Sequence, residues 1–473
     1  MAEGERQMGE SKVAWDVSLL FDRGTILLRR LRRTSRVVQL PGIVWDPRVG
    51  AYRAPARHYA VIRERLDAMG TSTRDDVRLA KAEPAPWRAV DLRPYQEAAL
   101  CAWELSSRRG LVILPTGAGK TRLAVAAMAR TGLRSLCMVP TRALLEQWVG
   151  VVQESYQGPV GCFGDGERVL QPITVATFES AYRHMDRIGN HFDLLIVDET
   201  HHFGCGIRDE ALEMTIAAAR LGLTATPPRR GEAPKRLRVL IGPTVFELAV
   251  SDLAGSYLAP FQTVTLALDL TTDERRDYDR WTELYREPFR RFRRAHPGSS
   301  WESFVRLAAR SDEGRRAIAA WRRSRQLLTY PQAKREALRT LLSRHRAQQV
   351  LVFVGDDETA YCVAREHLIM PFTCDIRRKE RADVLDRFRS GEIRALVSAR
   401  VLNEGIDVPD AMIGIVVAGR LGEREHVQRV GRLLRPADGK RALVYEMVVR
   451  GTAEVRQAAR RAEGLVGRSS FTD

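Results

Sequence analysis

A glycine-containing segment at residues 114–121 (LPTGAGKT) has the composition of a phosphate-binding loop. It follows the apolar run 111–113 and precedes the alanine-rich segment 123–129, so we expect a strand, the loop and then a helix. Backbone N–H groups of such a loop can point at phosphate oxygens, and the helix N-terminus favours an anion. Taken alone, the motif leaves open a glycine-rich turn that binds no nucleotide, because position 114 is Leu where the usual pattern has Gly. The predicted phosphate-binding residues are Pro115, Thr116, Gly117, Ala118, Gly119, Lys120 and Thr121.

A pair of acidic residues follows a second apolar run, 194–197. Such a run is typical of a buried parallel strand, and ligands of open α/β sheets bind at the carboxyl ends of the strands. Asp198 is therefore expected to hold Mg²⁺, together with the hydroxyl of Thr121, and Glu199 to orient and deprotonate the attacking water. In isolation, two surface acids after a strand are an equally good interpretation. The loop upstream favours the catalytic one, with Lys120 reaching the terminal phosphates.

An arginine-containing segment near the C-terminus, 425–435 (EHVQRVGRLLR), could complete such a site. Arg432 and Arg435 are three residues apart and share a face of a helix. An arginine supplied by another domain can neutralise charge that develops on the γ-phosphate. A solvated basic helix is the alternative, and the segment by itself favours it, since the chain is rich in arginine.

The overall charge indicates a polyanionic partner. The formal net charge is +17, and only seven of the 76 basic residues are Lys. A nucleic acid is expected before a membrane, because no amphipathic anchor or lipidation signal accompanies the charge. No run of about 18 apolar residues and no apolar signal core occurs either. The arginine bias suits bidentate phosphate contacts but is equally explained by a GC-rich genome. The six cysteines form no CxxC pair and no metal-binding spacing, so we expect reduced thiols in a cytoplasmic protein, associated with the nucleoid if the cell is prokaryotic.

The order of the motifs resembles that of superfamily 2 helicases across residues 90–450. The matching segments are 92–96 (LRPYQ), 115–121, 140–142 (PTR), 176–179 (ATFE), 198–201 (DETH), 223–226 (LTAT), 350–354, 397–407 and 428–435. Residues 21–25 (FDRGT), 45–48 (WDPR) and 52–56 (YRAPA), with the DETHH box, 403–410 (NEGIDVPD) and 450–452 (RGT), are similar to XPB helicases of the archaeal and bacterial kind.

This resemblance implies further roles. Arg93 and Gln96 match the motif at the adenine side of ATP, and Gln428 would lie near the γ-phosphate. Gly405 and Asp407 match the motif that couples nucleotide state to the nucleic-acid track, and Thr224 and Thr226 lie in the segment that links hydrolysis to movement. The residues expected to face the DNA backbone are Arg142, Thr177 and Arg400.

The resemblance also implies a fold of α/β class, with two RecA-like parallel-sheet domains, a small N-terminal α/β module and a helical thumb-like insertion. The insertion carries 20 Arg/Lys against 10 Asp/Glu over 273–346, and its aromatic residues share a helix face that we interpret mainly as packing core. Pro288 is expected to kink or divide this helix. Arg290, Arg291, Arg293 and Arg294 (the thumb arginines) are predicted phosphate contacts. The predicted domains are 1–70 (a damage-recognition-like module), 71–88 (a linker), 89–260 (RecA-like), 261–346 (thumb) and 347–473 (RecA-like).

The predicted function is an ATP- and Mg²⁺-dependent DNA helicase or translocase of XPB type, in DNA repair. XPB proteins typically carry an Arg-Glu-Asp element implicated in opening DNA, but residues 227–233 read PPRRGEA. The missing Glu-Asp pair supports an alternative, a translocase on double-stranded DNA that does not unwind. A third hypothesis is an ATP-switched DNA-binding subunit that recruits a partner nuclease, since the chain has no nuclease-like acidic cluster.

Overall fold

The computed structural model describes residues 16–30, 40–79, 83–228, 231–253, 261–373, 375–399, 411–418 and 442–465. The main division of the chain into compact units falls between Glu247 and Leu248. The first unit holds a small N-terminal sheet and an eight-stranded sheet, and the second holds a six-stranded sheet and a group of helices. No helix of the described part of the chain is long and apolar enough to cross a bilayer.

The N-terminal module is a five-stranded mixed sheet covered by one helix. Its strands have the order β3-β4-β2-β1-β5, and the apolar residues of β1 and β2 form a core with Ile62 and Leu66 of the helix. Burial alternates at the start of β1, where Val17 and Leu19 are buried and Ser18 and Leu20 less so, as in a sheet with one buried face. The elements are β1 (Val17–Asp22), β2 (Thr25–Arg29), β3 (Val44–Asp46), β4 (Ala51–Pro55), α1 (Tyr59–Ala68) and β5 (Thr73–Asp76).

This module is fixed to the eight-stranded domain. Ile216 of that domain belongs to the core of the module, and Arg57 forms an ion pair with Glu213 at 3.0 Å. The buried amide of Asn190 donates to the carbonyl of Val77 at 2.9 Å. The segment predicted as a linker, 71–88, makes tertiary contacts within its described residues: β5 pairs parallel with β1, and Trp87 bridges to Tyr156.

The eight-stranded sheet has the order β13-β6-β12-β11-β7-β10-β8-β9 and is parallel except for the final β8–β9 pair. Its central strands β12, β11 and β7 are buried along their whole length because helices cover both faces. Short apolar runs at 111–114, 135–139, 173–176, 194–198 and 220–224 predict five strands here, and all five are present. The strands are β6 (Arg109–Ile113), β7 (Ser135–Val139), β8 (Val160–Gly164), β9 (Glu167–Arg168), β10 (Ile173–Thr177), β11 (Leu194–Val197), β12 (Ala219–Thr224) and β13 (Thr244–Glu247). The helices are α2 (Pro94–Leu105), α3 (Lys120–Thr131), α4 (Arg142–Ser155), α5 (Phe178–Ile188), α6 (Glu210–Glu213) and α7 (Ala233–Leu240).

The second unit contains a parallel sheet of order β14-β19-β18-β15-β17-β16, which confirms the second RecA-like domain. The strands are β14 (Phe261–Leu268), β15 (Val350–Phe353), β16 (Met370–Pro371), β17 (Ala395–Ser398), β18 (Ile413–Val416) and β19 (Ala442–Val449). The helices are α8 (Val250–Leu253), α9 (Thr272–Ala295), α10 (Trp301–Ala308), α11 (Asp312–Thr329), α12 (Gln332–Arg344), α13 (Asp357–His367), α14 (Arg378–Arg389) and α15 (Ala453–Leu465).

The thumb-like insertion differs from its predicted boundary. Residues 261–268 pair with the whole of β19 and so belong to the second RecA-like sheet, and the helical part begins at Thr272. Helix α9 continues through Pro288, so of the two expected effects, a kink or a division, the division does not occur. Phe289 packs on Trp301 and Phe304, as expected for a packing core.

Candidate nucleotide site and nucleic-acid groove

The phosphate-binding loop joins β6 to the N-terminus of α3, as predicted. Gly117 and Gly119 have φ angles of 84° and 75°, which L-residues with a side chain adopt at a free-energy cost. Lys120 begins α3, and its ammonium donates to the carbonyl of Leu114 at 3.2 Å, back across the loop. Leu114 replaces the usual glycine without disturbing the loop, because it is fully buried and its N–H donates to the carbonyl of Thr224 at 3.0 Å.

Gln96 at the start of α2 holds this loop from the side. Its Oε1 accepts from the N–H of Arg93 at 2.9 Å, and its Nε2 donates to the carbonyl of Gly119 at 3.2 Å. A Cβ on Gly119 would lie only 2.4 Å from that Nε2, so the close approach requires glycine. The structure thus gives Gln96 a role in shaping the loop that the motif did not suggest. The predicted contact of Arg93 and Gln96 with adenine stays a prediction.

Asp198 and Glu199 lie at the carboxyl end of β11, as predicted. Asp198 is buried, and each of its carboxylate oxygens accepts one hydrogen bond: Oδ1 from the N–H of Glu199 at 2.9 Å and Oδ2 from the indole Nε1 of Trp148 at 3.1 Å. Glu199 has a left-handed backbone, with a φ of 45°. Such conformations in residues other than glycine concentrate at functional sites.

A threonine joins the acidic pair to the segment 223–226. The Oγ1 of Thr224 lies 3.1 Å from Nδ1 of His201 and accepts from the N–H of Thr226 at 3.1 Å. The same His201 nitrogen is 3.4 Å from Oε2 of Glu199. The side chains of Glu199, His201 and Thr224 therefore form a row of contacts that ends at the backbone N–H of Thr226.

Electrostatics of the acidic pair follow from its burial. Burial, with the neighbouring negative charge of Glu199, raises the pKa of Asp198 to about 6, and the positive charge of Lys120 partly offsets this rise. Because the two adjacent buried carboxylates repel each other, binding of a cation beside them, between the carboxylates and the phosphates of a bound nucleotide, is favourable. Lys120 lies close enough to supply part of that charge.

The residues present fit a magnesium ion. The Thr121 hydroxyl and the Asp198 carboxylate are hard oxygen donors of the kind Mg²⁺ prefers, alongside phosphate oxygens and water. Oγ1 of Thr226 is buried and has no hydrogen-bond partner within the described structure, so it could bind a water or a phosphate oxygen. The buried Oε2 of Glu199 has the His201 Nδ1 at 3.4 Å and could accept a hydrogen bond from a water. Among the described residues, no group of three or more His, Cys, Asp or Glu side chains is placed to hold a metal ion.

Arg142 and Thr177, both predicted to face DNA, line one groove of the first domain, which we call the α4–α5 groove (residues 140–142, 163–168, 177, 179, 180, 183 and 184; about 490 Å³). Arg142 is the first residue of α4, and Thr177 caps α5 by accepting from the N–H of Ser180. The groove is not uniformly basic. Arg142 forms an ion pair with Asp165, and Arg183 forms one with Glu179 at 2.8 Å.

The thumb arginines lie near the end of α9 and are exposed. Arg290 lies 3.8 Å from Glu287, and Arg291 pairs with Glu313. Arg293 and Arg294 have no acidic partner within 4 Å among the residues that the structure describes. These two side chains are the most available for phosphate.

The remaining predicted site residues lie outside the described residues: Arg400, Gly405, Asp407, Gln428, Arg432 and Arg435. Sequence reasoning missed two residues that shape the site, Trp148 and the buried Arg220. The Arg220 guanidinium donates to the carbonyls of Ala217, Leu212, Leu240 and Thr215 and so supports the strand that leads to Thr224. No local pattern distinguishes either residue from an ordinary helix or strand residue.

Three family matches cover most of the chain in the expected order. Residues 19–77 match the Xeroderma pigmentosum group B helicase damage recognition domain. Residues 89–229 match the res subunit of type III restriction enzymes, and residues 333–437 match the helicase conserved C-terminal domain. A DNA 3'-5' translocase XPB2 of Sulfurisphaera tokodaii is 35% identical over 89% of this chain and 96% of its own length. The chain belongs to the XPB family of DNA helicases.

Other relatives agree with this placement. The DNA 3'-5' helicase XPB of Mycobacterium tuberculosis is 29% identical to this chain. The match covers 78% of this chain and 63% of the M. tuberculosis protein. The helicase domain of Hef from Pyrococcus furiosus has a TM-score of 0.52 at 16% identity, over 78% of this chain and 97% of the Hef domain. That likeness shows the helicase fold. The predicted fold class and the ATP-dependent DNA helicase activity of superfamily 2 are confirmed.

Proposed function

We propose that this XPB-family chain hydrolyses ATP between its phosphate-binding loop and Asp198–Glu199, and uses the reaction to move along DNA. The observation that carries the proposal is the strand order β6-β12-β11. It brings the loop after β6 and the carboxylates after β11 to one edge of a parallel sheet, two strands apart, which is about 10 Å. Lys120 lies within electrostatic reach of Asp198 there.

Each residue of the site has a distinct role in this proposal. Lys120 and the loop N–H groups bind the phosphates, and Thr121 and Asp198 hold Mg²⁺. When bound, Mg²⁺ neutralises phosphate charge. Glu199 orients the attacking water and accepts its proton, and His201, with Nδ1 3.4 Å from Oε2, holds the carboxylate in place. Arg432 and Arg435, with Gln428, would stabilise the transition state.

DNA contacts are expected mainly on phosphates, and therefore with slight sequence preference. Arg142 and Thr177 in the α4–α5 groove, Arg400 and the thumb arginines are the proposed contacts. Because Asp165 already pairs with Arg142, a phosphate must displace that carboxylate. The relatives named 3'-5' translocase and 3'-5' helicase favour the same polarity here.

The test is ATP hydrolysis measured in parallel with single-stranded, forked and duplex DNA and with RNA. We expect DNA to stimulate turnover well above RNA. Equal turnover with and without every nucleic acid would contradict the proposal. Lys120→Ala provides the background rate in each condition, so that a contaminating ATPase is recognised.

A translocase that does not unwind is the second candidate, favoured by the absence of the Glu-Asp pair after Arg230. Displacement of a triplex-forming strand reports translocation on duplex DNA, and displacement of one strand of a fork reports unwinding. Triplex displacement without fork opening would establish the translocase. Fork opening that appears only when a partner nuclease is added would instead favour the nuclease-recruiting hypothesis.

A further inference from the structure

Trp148 donates its indole N–H to the metal-side carboxylate of the proposed site. The distance from Nε1 to Oδ2 of Asp198 is 3.1 Å, and both side chains are buried. The other carboxylate oxygen, Oδ1, accepts from the N–H of Glu199. Since each oxygen has one donor from a different direction, the two bonds together fix the rotation of the carboxylate.

The segment 135–155, strand β7 followed by α4, holds Asp198 at two points. The N–H of Asp198 donates to the carbonyl of Met138 in β7 at 3.0 Å, in addition to the bond from Trp148 in α4. Leu145 and Val152 are buried on the same face of α4 as Trp148, so this helix is packed firmly in the domain.

The other end of the same segment lines the α4–α5 groove. Residues 140–142 connect β7 to α4 and border the groove, and the side chain of Thr141 caps the helix by accepting from the N–H of Leu144. Trp148 lies six residues beyond Arg142, about 9 Å along the helix axis. A shift of the α4 N-terminus therefore moves the indole that holds Asp198.

We propose that Trp148 is a positioning residue, whose indole N–H couples occupancy of the α4–α5 groove to the orientation of Asp198 for the metal. The coupling rests on the proposed function, because it assumes that the groove binds DNA. By linkage, DNA at the groove and Mg²⁺–nucleotide at Asp198 must then strengthen each other by the same factor.

A matched control exists in the same domain. Trp103 is also fully buried on a helix, and its Nε1 donates to the carbonyl of Arg220 at 2.9 Å. Trp148→Phe and Trp103→Phe each remove one indole N–H and a similar volume. They differ in whether the acceptor is the carboxylate of the site or a backbone carbonyl.

The experiment measures binding of a fluorescent ADP to each variant of the full chain during a Mg²⁺ titration, with and without DNA. A lost hydrogen bond to a charged group corresponds to about a 10-fold change. For Trp148→Phe we expect the half-saturating Mg²⁺ concentration to rise by about that factor, ADP affinity without Mg²⁺ to be unchanged, and the effect of DNA to fall towards none. Trp103→Phe should keep both the Mg²⁺ dependence and the DNA effect.

Unchanged Mg²⁺ dependence in Trp148→Phe would overturn the proposal, and so would an equal loss in Trp103→Phe, which would assign the effect to packing. The Mg²⁺ titration without DNA tests whether Trp148 positions Asp198, even if the α4–α5 groove does not bind DNA. Failure of this proposal can therefore be distinguished from failure of the proposed DNA-binding function. Should Trp148→Phe not fold, hydrogen exchange of the unsubstituted protein replaces it. Adding Mg²⁺ to the ADP-bound chain should slow amide exchange in 145–152 more than in 97–105 of α2, and an equal response refutes the proposal.

Discussion

Gly119→Ala should weaken nucleotide binding far more than Gly132→Ala, although the two glycines cap opposite ends of the same helix. Both have positive φ, 75° and 61°, so an alanine at either position carries a backbone strain of about 1–2 kcal/mol. The surroundings differ. A Cβ on Gly119 meets Nε2 of Gln96 at 2.4 Å, and a Cβ on Gly132 meets nothing within 4 Å.

The magnitude follows from the hydrogen bonds that Gln96 must give up. To avoid the new methyl group its amide has to move, losing the bonds to Gly119 and Arg93 at about 1 kcal/mol each. The excess over Gly132→Ala is therefore about 2 kcal/mol, which is a factor of about 30. If the loop must recover its shape to bind phosphate, this factor appears in the dissociation constant of ADP.

The assay is equilibrium binding of a fluorescent ADP, with urea unfolding of each variant as a measure of stability. The double variant Gly119→Ala with Gln96→Ser tests the cause, because both substitutions remove the same two Gln96 hydrogen bonds. We expect Gln96→Ser to weaken ADP binding in the unsubstituted chain but to add little to the loss already caused by Gly119→Ala. Wild-type affinity in Gly119→Ala, or fully additive losses in the double variant, would refute the geometric reasoning.

Four further outcomes are expected. Lys120→Ala and Glu199→Gln should each abolish DNA-stimulated ATP hydrolysis, while Glu199→Gln still binds ATP in an equilibrium assay; turnover by pure Glu199→Gln contradicts the assignment. Arg432→Ala and Arg435→Ala should lower kcat far more than they raise KM in steady-state kinetics. Normal ATP hydrolysis by both variants would mean that residues 428–435 have no catalytic role. Replacing the thumb arginines by Gln should weaken DNA binding uniformly across sequences, while ATP hydrolysis without DNA is retained. The slope of log binding constant against log salt concentration should fall by about 1 per lost phosphate contact. An unchanged slope would mean that these arginines are solvated surface or bind a protein partner. Arg220→Met should lower the free energy of unfolding in urea by about 3–5 kcal/mol, because four carbonyls lose their donor, and a change below about 1 kcal/mol would show that water replaces the guanidinium.

The amino-acid sequence by itself determined the parts of the site that depend on local pattern. The loop before Lys120 and the acids after β11 were recognisable because a strand, a turn and a helix N-terminus each need particular residues within a few positions. The central strands of both RecA-like sheets were predicted for the same reason, since short apolar runs bounded by turns are a local signal. The strands nearer the sheet edges, β8, β9, β13, β14 and β16, were not predicted.

Only the tertiary structure decided which distant groups meet. Residues 261–268, predicted as part of the thumb, form a strand of the second sheet because they pair with β19, far along the chain. Residues 73–76, predicted as part of the linker, form β5 because they pair with β1. The bond from Trp148 to Asp198 spans 50 residues. Pairings of this kind depend on how strands pair and how helices pack on a sheet. Hydrophobic periodicity predicts which face of an element is buried, but not which other element that face contacts.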